Sequence, residues 1–197
     1  MDELPEAANP AAWPAESTLA EAQTVPAPHP AILGIDDFVS QCRLTAHRRG
    51  GPGGQHRNKV SSAVMALHLP TGISAEANER RDQSQNRRVA IERLRLRLAI
   101  VLRSRTQNNA PMASIESDLR QRWHRRALKV SESNWDRSAV LAVVLDDLHR
   151  AGGQPSLIAE RWQLSTTSIV QFVASSPPAF QMVNRWREHH RRPPLRA

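Results

Sequence analysis

An alternating segment, a turn, a second short strand and a long helix follow one another between residues 61 and 103. From Ser61 to Leu69, successive side chains fall on two faces with a period of two, which predicts a β-strand. Pro70-Thr71-Gly72 predicts a turn, and residues 73–77 a returning strand. Residues 79–103 predict a helix whose apolar stripe covers the sheet; the stripe is Ile91, Leu94, Leu98, Val101 and Leu102.

Residues 36–46 complete this unit with a turn of helix and a strand from Cys42 to Ala46. The predicted fold class is therefore α+β, with a short antiparallel sheet packed on one long helix. This helix also carries many arginines with few acidic partners at i, i+4 to neutralise them. We predict that they form an RNA-facing surface, the alternative being a solvated face; the arginines are Arg80, Arg81, Arg87, Arg88, Arg93, Arg95 and Arg97.

A glycine-rich run precedes the alternating strand. Residues 50–59 read Gly-Gly-Pro-Gly-Gly-Gln-His-Arg-Asn-Lys. A backbone with so few Cβ atoms can approach a ligand closely, and ordering it costs more entropy than ordering any other residue type. The spacing does not fit the phosphate-binding pattern G-x-x-x-x-G-K-[ST] or the dinucleotide pattern G-x-G-x-x-G. We therefore expect a different partner to approach this backbone.

The tripeptide Gly53-Gly54-Gln55, followed by Asn58-Lys59, resembles the loop of class I peptide chain release factors and their ribosome-rescue relatives. The resemblance covers residues 36–104 and includes the segments 51–56, 62–64, 70–73 and 79–90, together with His68. It implies hydrolysis of the ester between nascent peptide and tRNA in the ribosomal peptidyl-transferase centre. The implied partners are the ribosome, through its large-subunit rRNA, and peptidyl-tRNA.

The resemblance also implies the roles of the site residues. A glutamine amide does not titrate, so Gln55 cannot be a general base. Its backbone N–H is expected to stabilise developing negative charge and its side chain to place water. Gly53 and Gly54 are expected to be catalytic because a Cβ would force the loop out of its bound conformation. The expected RNA-binding residues are His56, Arg57, Asn58, Lys59, Arg80, Arg81, Arg87 and Arg88. For His56 the alternative is a packing role, and for Asn58 it is capping of the local turn. Arg57 stands where most relatives carry a small apolar residue.

Charge is distributed unevenly along the chain, whose net charge is +8. Residues 1–37 hold seven acids and no Lys or Arg, whereas residues 38–105 hold fourteen bases and four acids. This clustering favours a polyanionic partner, most directly RNA. The acidic, Ala- and Pro-rich residues 1–34 are predicted to be disordered. Residues 35–105 are predicted to be the catalytic domain and residues 115–192 a helical domain.

A second Gly-Gly-Gln at residues 152–154 is expected to end a helix and not to catalyse. Residues 134–151 predict a helix with Asn134 as its N-cap and valines and leucines on its apolar face. The two glycines then fall where a helix end favours left-handed backbone, and Pro155 suits the first turn of the next helix.

The remaining C-terminal segments also predict helices. Residues 117–130 form a short basic amphipathic run. Residues 155–174 resemble a helix-turn-helix in which Gln163 replaces the usual turn glycine. A plain helical hairpin that packs Trp162 into a small core explains this pattern as well and is the preferred interpretation. The basic stretch 184–192 either contacts RNA or is a solvated last helix.

Other features bound the function. One cysteine, Cys42, excludes a disulfide within the chain and fits a reducing compartment; we expect it to be buried. His68 is expected to be structural. No spacing predicts a metal site and no cofactor is expected. The absence of a long apolar run and of a targeting segment predicts a cytoplasmic protein without membrane contact. A monomer is expected.

Because nothing before Asp36 suits a domain that reads stop codons, the expected activity is codon-independent ribosome rescue. The alternative is a non-catalytic ribosome- or RNA-binding regulatory protein.

Overall fold

The computed structural model describes residues 13–47, 62–105, 110–123, 128–131 and 134–196. Within them lie a three-stranded antiparallel sheet, a two-stranded parallel ribbon and seven helices. None of these helices is long and apolar enough to cross a membrane. In chain order the elements are β1 (Gln23–Pro26), α1 (Ile35–Ser40), β2 (Cys42–His47), β3 (Ala63–His68), β4 (Ser74–Ala77), α2 (Gln83–Val101), β5 (Leu102–Arg105), α3 (Ala110–Trp123), α4 (Asp136–Arg150), α5 (Pro155–Trp162), α6 (Thr166–Ala174) and α7 (Pro177–His189).

The sheet has the order β2–β3–β4, with antiparallel pairing throughout. The predicted strands and the turn between them are confirmed, with ends that differ by one or two residues. Gly72 has a φ of 69° and donates its N–H to the carbonyl of His68 at 2.9 Å, which closes the β3–β4 hairpin. The left-handed conformation at this turn is the reason that a glycine occupies it.

Helix α2 covers one face of this sheet and confirms the predicted α+β class. Leu94 and Leu98 are fully buried, and Ile91 nearly so. The helix is shorter than the predicted 79–103. It begins after Asp82, whose carboxylate accepts from the N–H of Ser84 at 2.8 Å, and it ends because the chain becomes extended at Leu102.

The N-terminal segment corrects the prediction of disorder over residues 1–34 for its described part. β1 pairs in parallel with β5, which begins at Leu102. His29 is fully buried, accepts from the N–H of Ala31 through Nδ1 at 3.0 Å and lies 3.3 Å from the Leu102 carbonyl through Nε2. Burial lowers the pKa of His29 to about 3, so this side chain is neutral in the folded protein.

Helix α4 is the centre of the C-terminal half and confirms the predicted helix over residues 134–151. Its valines and leucines are almost completely buried between the other helices. Asn134 lies one residue before the N-cap position, and its side chain accepts from the N–H of Asp136 at 2.8 Å. The helix predicted over residues 117–130 is instead α3, which ends at Trp123.

Helices α5 and α6 form the predicted helical hairpin. Gln163 takes the left-handed conformation with a φ of 48°, and Ser165 caps α6 by accepting from the N–H of Ser168 at 3.1 Å. Trp162 is fully buried in the helical core. This supports the hairpin, although Trp162 packs into the large core around α4 and not into a small core of its own; a nucleic-acid-reading helix-turn-helix stays a prediction.

Buried charges join the elements of the C-terminal half. Asp147 of α4 is fully buried and accepts from Arg120 Nε of α3 at 2.9 Å and from Trp162 Nε1 of α5 at 2.8 Å. Its neighbour Asp146 lies 3.2 Å from Arg103 Nη1 of β5 and accepts from the hydroxyl of Ser104. Each buried carboxylate is thus paired, as burial of a charge requires.

Helix α2 contributes to two hydrophobic cores. Leu94 and Leu98 belong to the core under the sheet, whereas Ile100 belongs to the core around α4. Val101 packs against both. The predicted division into domains over residues 35–105 and 115–192 stays a prediction.

Candidate functional site

The glycine-rich segment leaves and re-enters the sheet at one point. His47, the last residue of β2, pairs with Ala63, the first residue of β3. The antiparallel pairing therefore fixes the two ends of the intervening segment side by side. Seven predicted site residues lie in this segment and outside the described residues, so their roles stay predictions: Gly53, Gly54, Gln55, His56, Arg57, Asn58 and Lys59.

Asn86, near the start of α2, holds the returning end of this segment. Its side chain is fully buried. Its Nδ2 donates to the carbonyl of Ser62 at 2.7 Å and to that of Arg80 at 2.9 Å, and its Oδ1 accepts from the N–H of Arg80 at 2.9 Å. A carboxamide offers two N–H donors and a carbonyl acceptor. One side chain therefore ties the stem of the loop, the turn before α2 and the helix together.

Three further contacts hold β4 in place, one from β2 and two from α2. His47 Nε2 lies 3.3 Å from Glu76 Oε1, which links β2 to β4 across β3. From α2, Arg93 donates to the carbonyl of Glu76 at 2.9 Å and Arg97 to that of Ser74 at 2.8 Å. These two arginines thus hydrogen-bond the helix to the edge strand. Their predicted contact with RNA stays a prediction.

Four of the predicted RNA-binding arginines gather at this end and are exposed: Arg80, Arg81, Arg87 and Arg88. Arg80 and Arg81 lie in the turn that Asn86 holds against Ser62, and the other two lie on the first turns of α2. The neighbouring acids have local partners: Glu79 pairs with Arg93, Asp82 caps α2, and Glu92 lies 3.7 Å from Arg88. With Arg93 included, five arginines outnumber these three acids, which leaves a positively charged surface beside the stem of the loop and favours a polyanion.

The prediction that Arg95 lies on the RNA-facing surface is wrong. Arg95 is 2 % exposed and its guanidinium stacks 3.9 Å from the centre of the Trp135 ring. It donates to the carbonyls of Trp135 and Leu33. Burial lowers the pKa of Arg95 to about 10, so it stays charged at neutral pH, and its role is to join α2 to α4.

His68 and Cys42 are structural, as predicted for the histidine. His68 is buried, with Nδ1 2.8 Å from the hydroxyl of Thr71 and Nε2 3.1 Å from Gln41 Oε1, and burial lowers its pKa. Cys42 is only half-buried, against the prediction of a buried cysteine, and burial raises its pKa. Among the described residues no group of three His, Cys, Asp or Glu side chains is placed to hold a metal ion.

The second Gly-Gly-Gln ends α4, as predicted. Gly152 and Gly153 have φ values of 57° and 72°. The N–H of Gly153 donates to the carbonyl of Leu148 at 2.8 Å, and that of Gly152 to the carbonyl of His149 at 3.0 Å. The helix end needs this left-handed backbone, and glycine adopts it without strain.

Sequence reasoning missed Asn86 as an individual residue, although a signal for it was present. Asn86 lies four residues before Ala90 and eight before Leu94, in register with the buried stripe of α2. A polar side chain on a buried stripe needs internal hydrogen-bond partners. Here those partners are the backbone groups beside the loop.

The fold and this stem define a class of protein: a small α+β domain in which a glycine-rich segment joins two paired strands beside a basic surface. A family model described as the RF-1 domain matches residues 37–140, which is more than half of the chain. The chain therefore belongs to the class I peptide chain release factor family, and its Gly-Gly-Gln domain is the RF-1 domain.

Individual relatives agree with this assignment. Peptide chain release factor 1 of Lactiplantibacillus plantarum is 46% identical over 76 residues, which are 39% of this chain and 21% of that protein. Peptide chain release factor 2 of Paramagnetospirillum magneticum is 49% identical over 70 residues, 32% of this chain and 19% of the relative. Peptide chain release factor 1-like, mitochondrial, of Rattus norvegicus is 41% identical over 71 residues, 36% and 19% of the two chains. The matched region spans about a fifth of each relative.

Proposed function

We propose that this release-factor-like protein hydrolyses the ester of peptidyl-tRNA in the peptidyl-transferase centre of the ribosome, and that it does so without a codon in the decoding site. The observation that carries the proposal is Gly53-Gly54-Gln55 within the region that the RF-1 family model matches. The paired ends of β2 and β3 and the hydrogen bonds of Asn86 supply a fixed stem for that loop.

In the proposed reaction, water attacks the carbonyl carbon of the ester and the bond to the 3′ oxygen of the tRNA breaks. The water oxygen stays on the peptide as its carboxylate, one proton of the water passes to the leaving 3′ oxygen, and the other is released to solvent. Gln55 donates its backbone N–H to the charge that develops and its side-chain amide places the water. Because the amide does not titrate, the proton acceptor belongs to the rRNA or the tRNA. Gly53 and Gly54 allow the backbone to approach the ester.

The basic surface beside the loop stem is proposed to contact rRNA phosphates. Arg80, Arg81, Arg87 and Arg88 are exposed there, and phosphate contacts position a protein without reading sequence. His56, Arg57, Asn58 and Lys59 are proposed to contact RNA next to the catalytic glutamine. Together these contacts hold the loop at the ester, which is the condition for a large effective concentration of the attacking water.

The test is release of labelled peptide from ribosomes stalled on an mRNA that ends in the P site. Wild type is compared with Gln55→Ala and with Gln154→Ala, a matched change in the second Gly-Gly-Gln. Gln55→Ala keeps the backbone N–H and removes only the amide that places the water, so we expect the release rate to fall about 100-fold, the scale for a misplaced reacting group. We expect Gln154→Ala to leave the rate within about twofold. Undiminished release by Gln55→Ala contradicts the proposal.

The same assay separates codon-independent rescue from termination. We expect release from the truncated mRNA to be at least as fast as release with a stop codon in the A site. Release only with a stop codon contradicts the rescue proposal and supports termination. No release in either case, with ribosome binding intact, supports the alternative of a non-catalytic ribosome-binding regulatory protein.

A further inference from the structure

The chain reverses direction after α7 and returns along that helix. Arg191 makes the reversal with a φ of 53°, in the left-handed region. Residues 190–196, here called the strap, are held by the N–H of Leu195, which donates to Asn184 Oδ1 at 2.8 Å, and by Arg187 Nε, which donates to the carbonyl of Pro193 at 2.7 Å. A non-glycine residue in this conformation costs about 1–2 kcal/mol, so the hydrogen bonds of the strap stabilise a conformation that the local backbone does not prefer.

Two arginines from α7 and the strap donate hydrogen bonds to the glycines of the second Gly-Gly-Gln. Arg187 Nη1 donates to the carbonyl of Gly153 at 2.7 Å, and Arg192 Nη1 donates to that of Gly152 at 2.6 Å. A Cβ at Gly153 would lie 2.6 Å from Arg187 Cγ, and one at Gly152 would lie 2.5 Å from Arg192 Nη1. The glycine pair therefore provides the space that these two side chains occupy, besides ending α4.

A groove of about 550 Å³ lies between α7 and the strap. Its lining includes Gln181, Arg185 and Glu188 from the helix and Arg191, Arg192 and Pro194 from the strap. Residues 181–196 hold five arginines and one acid, Glu188. Burial, and next the positive charge of Arg192, lower the pKa of Arg187 and His190. The groove therefore carries a concentrated positive potential in a shape that is already formed.

We propose that this groove binds the phosphate backbone of RNA, as a second RNA-binding surface in addition to the one beside the loop. Three of the five arginines line the groove, Arg185, Arg191 and Arg192, and the fork geometry of a guanidinium group matches phosphate oxygens. Apart from Pro194 its lining is polar or charged. A protein partner favours aromatic and large apolar anchors at the centre of its interface, and this groove offers none. The inference does not depend on the proposed hydrolysis, because it concerns binding alone.

The experiment measures binding of the full chain to a fluorescein-labelled RNA duplex of 20 base pairs by fluorescence anisotropy over a series of KCl concentrations. The test variant is Arg185→Gln with Arg191→Gln, two exposed side chains. The control is Lys129→Glu, which removes the same two units of charge at an exposed position outside the groove. Loss of two phosphate contacts is expected to reduce the slope of log K against log salt by about 2 and to weaken binding at least tenfold at low salt.

Lys129→Glu is expected to change that slope by less than half as much. A third variant, Gly152→Ala, places a Cβ where the Arg192 side chain lies and so displaces that arginine. We expect it to weaken RNA binding several-fold while the circular dichroism of the helices is unchanged. Equal losses from the double variant and from Lys129→Glu would show a general charge effect and overturn the proposal. Displacement of the duplex by poly-L-glutamate as effective as that by unlabelled RNA would also overturn it, because the groove would then bind any polyanion. Release of peptide is measured separately, so failure of catalysis and failure of this surface give different results.

Discussion

Replacement of Asn86 by alanine tests whether one buried side chain holds the end of the glycine-rich segment at Ser62. The change removes three hydrogen bonds, to the carbonyls of Ser62 and Arg80 and from the N–H of Arg80. A hydrogen bond contributes about 0.5–1.5 kcal/mol net, and a buried group left without a partner costs about 1–3 kcal/mol. Because these backbone groups are only partly buried, water replaces some of the lost bonds. We expect the free energy of unfolding to fall by about 2–4 kcal/mol.

The assay is urea unfolding followed by tryptophan fluorescence, with Gln85→Ala as the control on the same helix. Gln85 is exposed, and an exposed substitution changes stability by about 0.5 kcal/mol or less. Asn86→Asp keeps the shape and the acceptor for Arg80 but presents carboxylate oxygens to two carbonyls, so we expect it to destabilise at least as much as alanine. An Asn86→Ala variant within 0.5 kcal/mol of wild type would refute the reasoning.

Two further predictions concern buried side chains. The folded pKa of His29, about 3, lies below the ordinary value of 6.5, so the unfolded chain binds a proton that the folded chain does not as pH falls below 6.5. The stability that neutral His29 supports is present above pH 6.5 and is lost on acidification. Between pH 7 and 5 we expect the free energy of unfolding to fall by about 2 kcal/mol because of this group. His29→Gln removes the group, so the slope of unfolding free energy against pH should fall by the equivalent of about one bound proton. An unchanged slope contradicts the prediction. Trp162→Phe removes the Nε1 bond to Asp147, and we expect a loss of about 1.5–3 kcal/mol in urea unfolding, the range for a bond to a charged group; a loss below 0.5 kcal/mol contradicts it.

Local patterns in the sequence predict the sheet and its covering helix because their information lies within single elements. The alternation of residues 61–69 specifies which side chains of β3 share a face, and the stripe of α2 specifies what covers them. The same local reasoning places the end of α4 at Gly152 and Gly153. These parts of the fold need no knowledge of distant residues.

The parallel pair of β1 and β5 was not predictable in this way. Gln23 pairs with Leu102, and each strand has only four residues, so neither shows a period. The burial of Arg95 likewise depends on Trp135, forty positions along the chain. Its charge alone favours solvent, and only the ring and the two carbonyls around it make burial favourable. The chemistry of the loop is predicted from Gly53-Gly54-Gln55 by resemblance, and the structure adds the stem that holds its two ends.

The contacts between the two halves decide how the C-terminal helices can be studied. Arg95 of α2 is stacked on Trp135 of the C-terminal half, and Arg103 of β5 pairs with Asp146 of α4. Ile100 lies in the core that α4 forms. Removal of residues 106–197 would therefore expose apolar surface and deprive two cations of the groups that make their burial favourable, which is strongly destabilising. A truncated chain that failed to release peptide would report this damage and not the function of the helices. Substitutions of exposed side chains, such as Arg185 and Arg191, leave these contacts in place and separate the two effects.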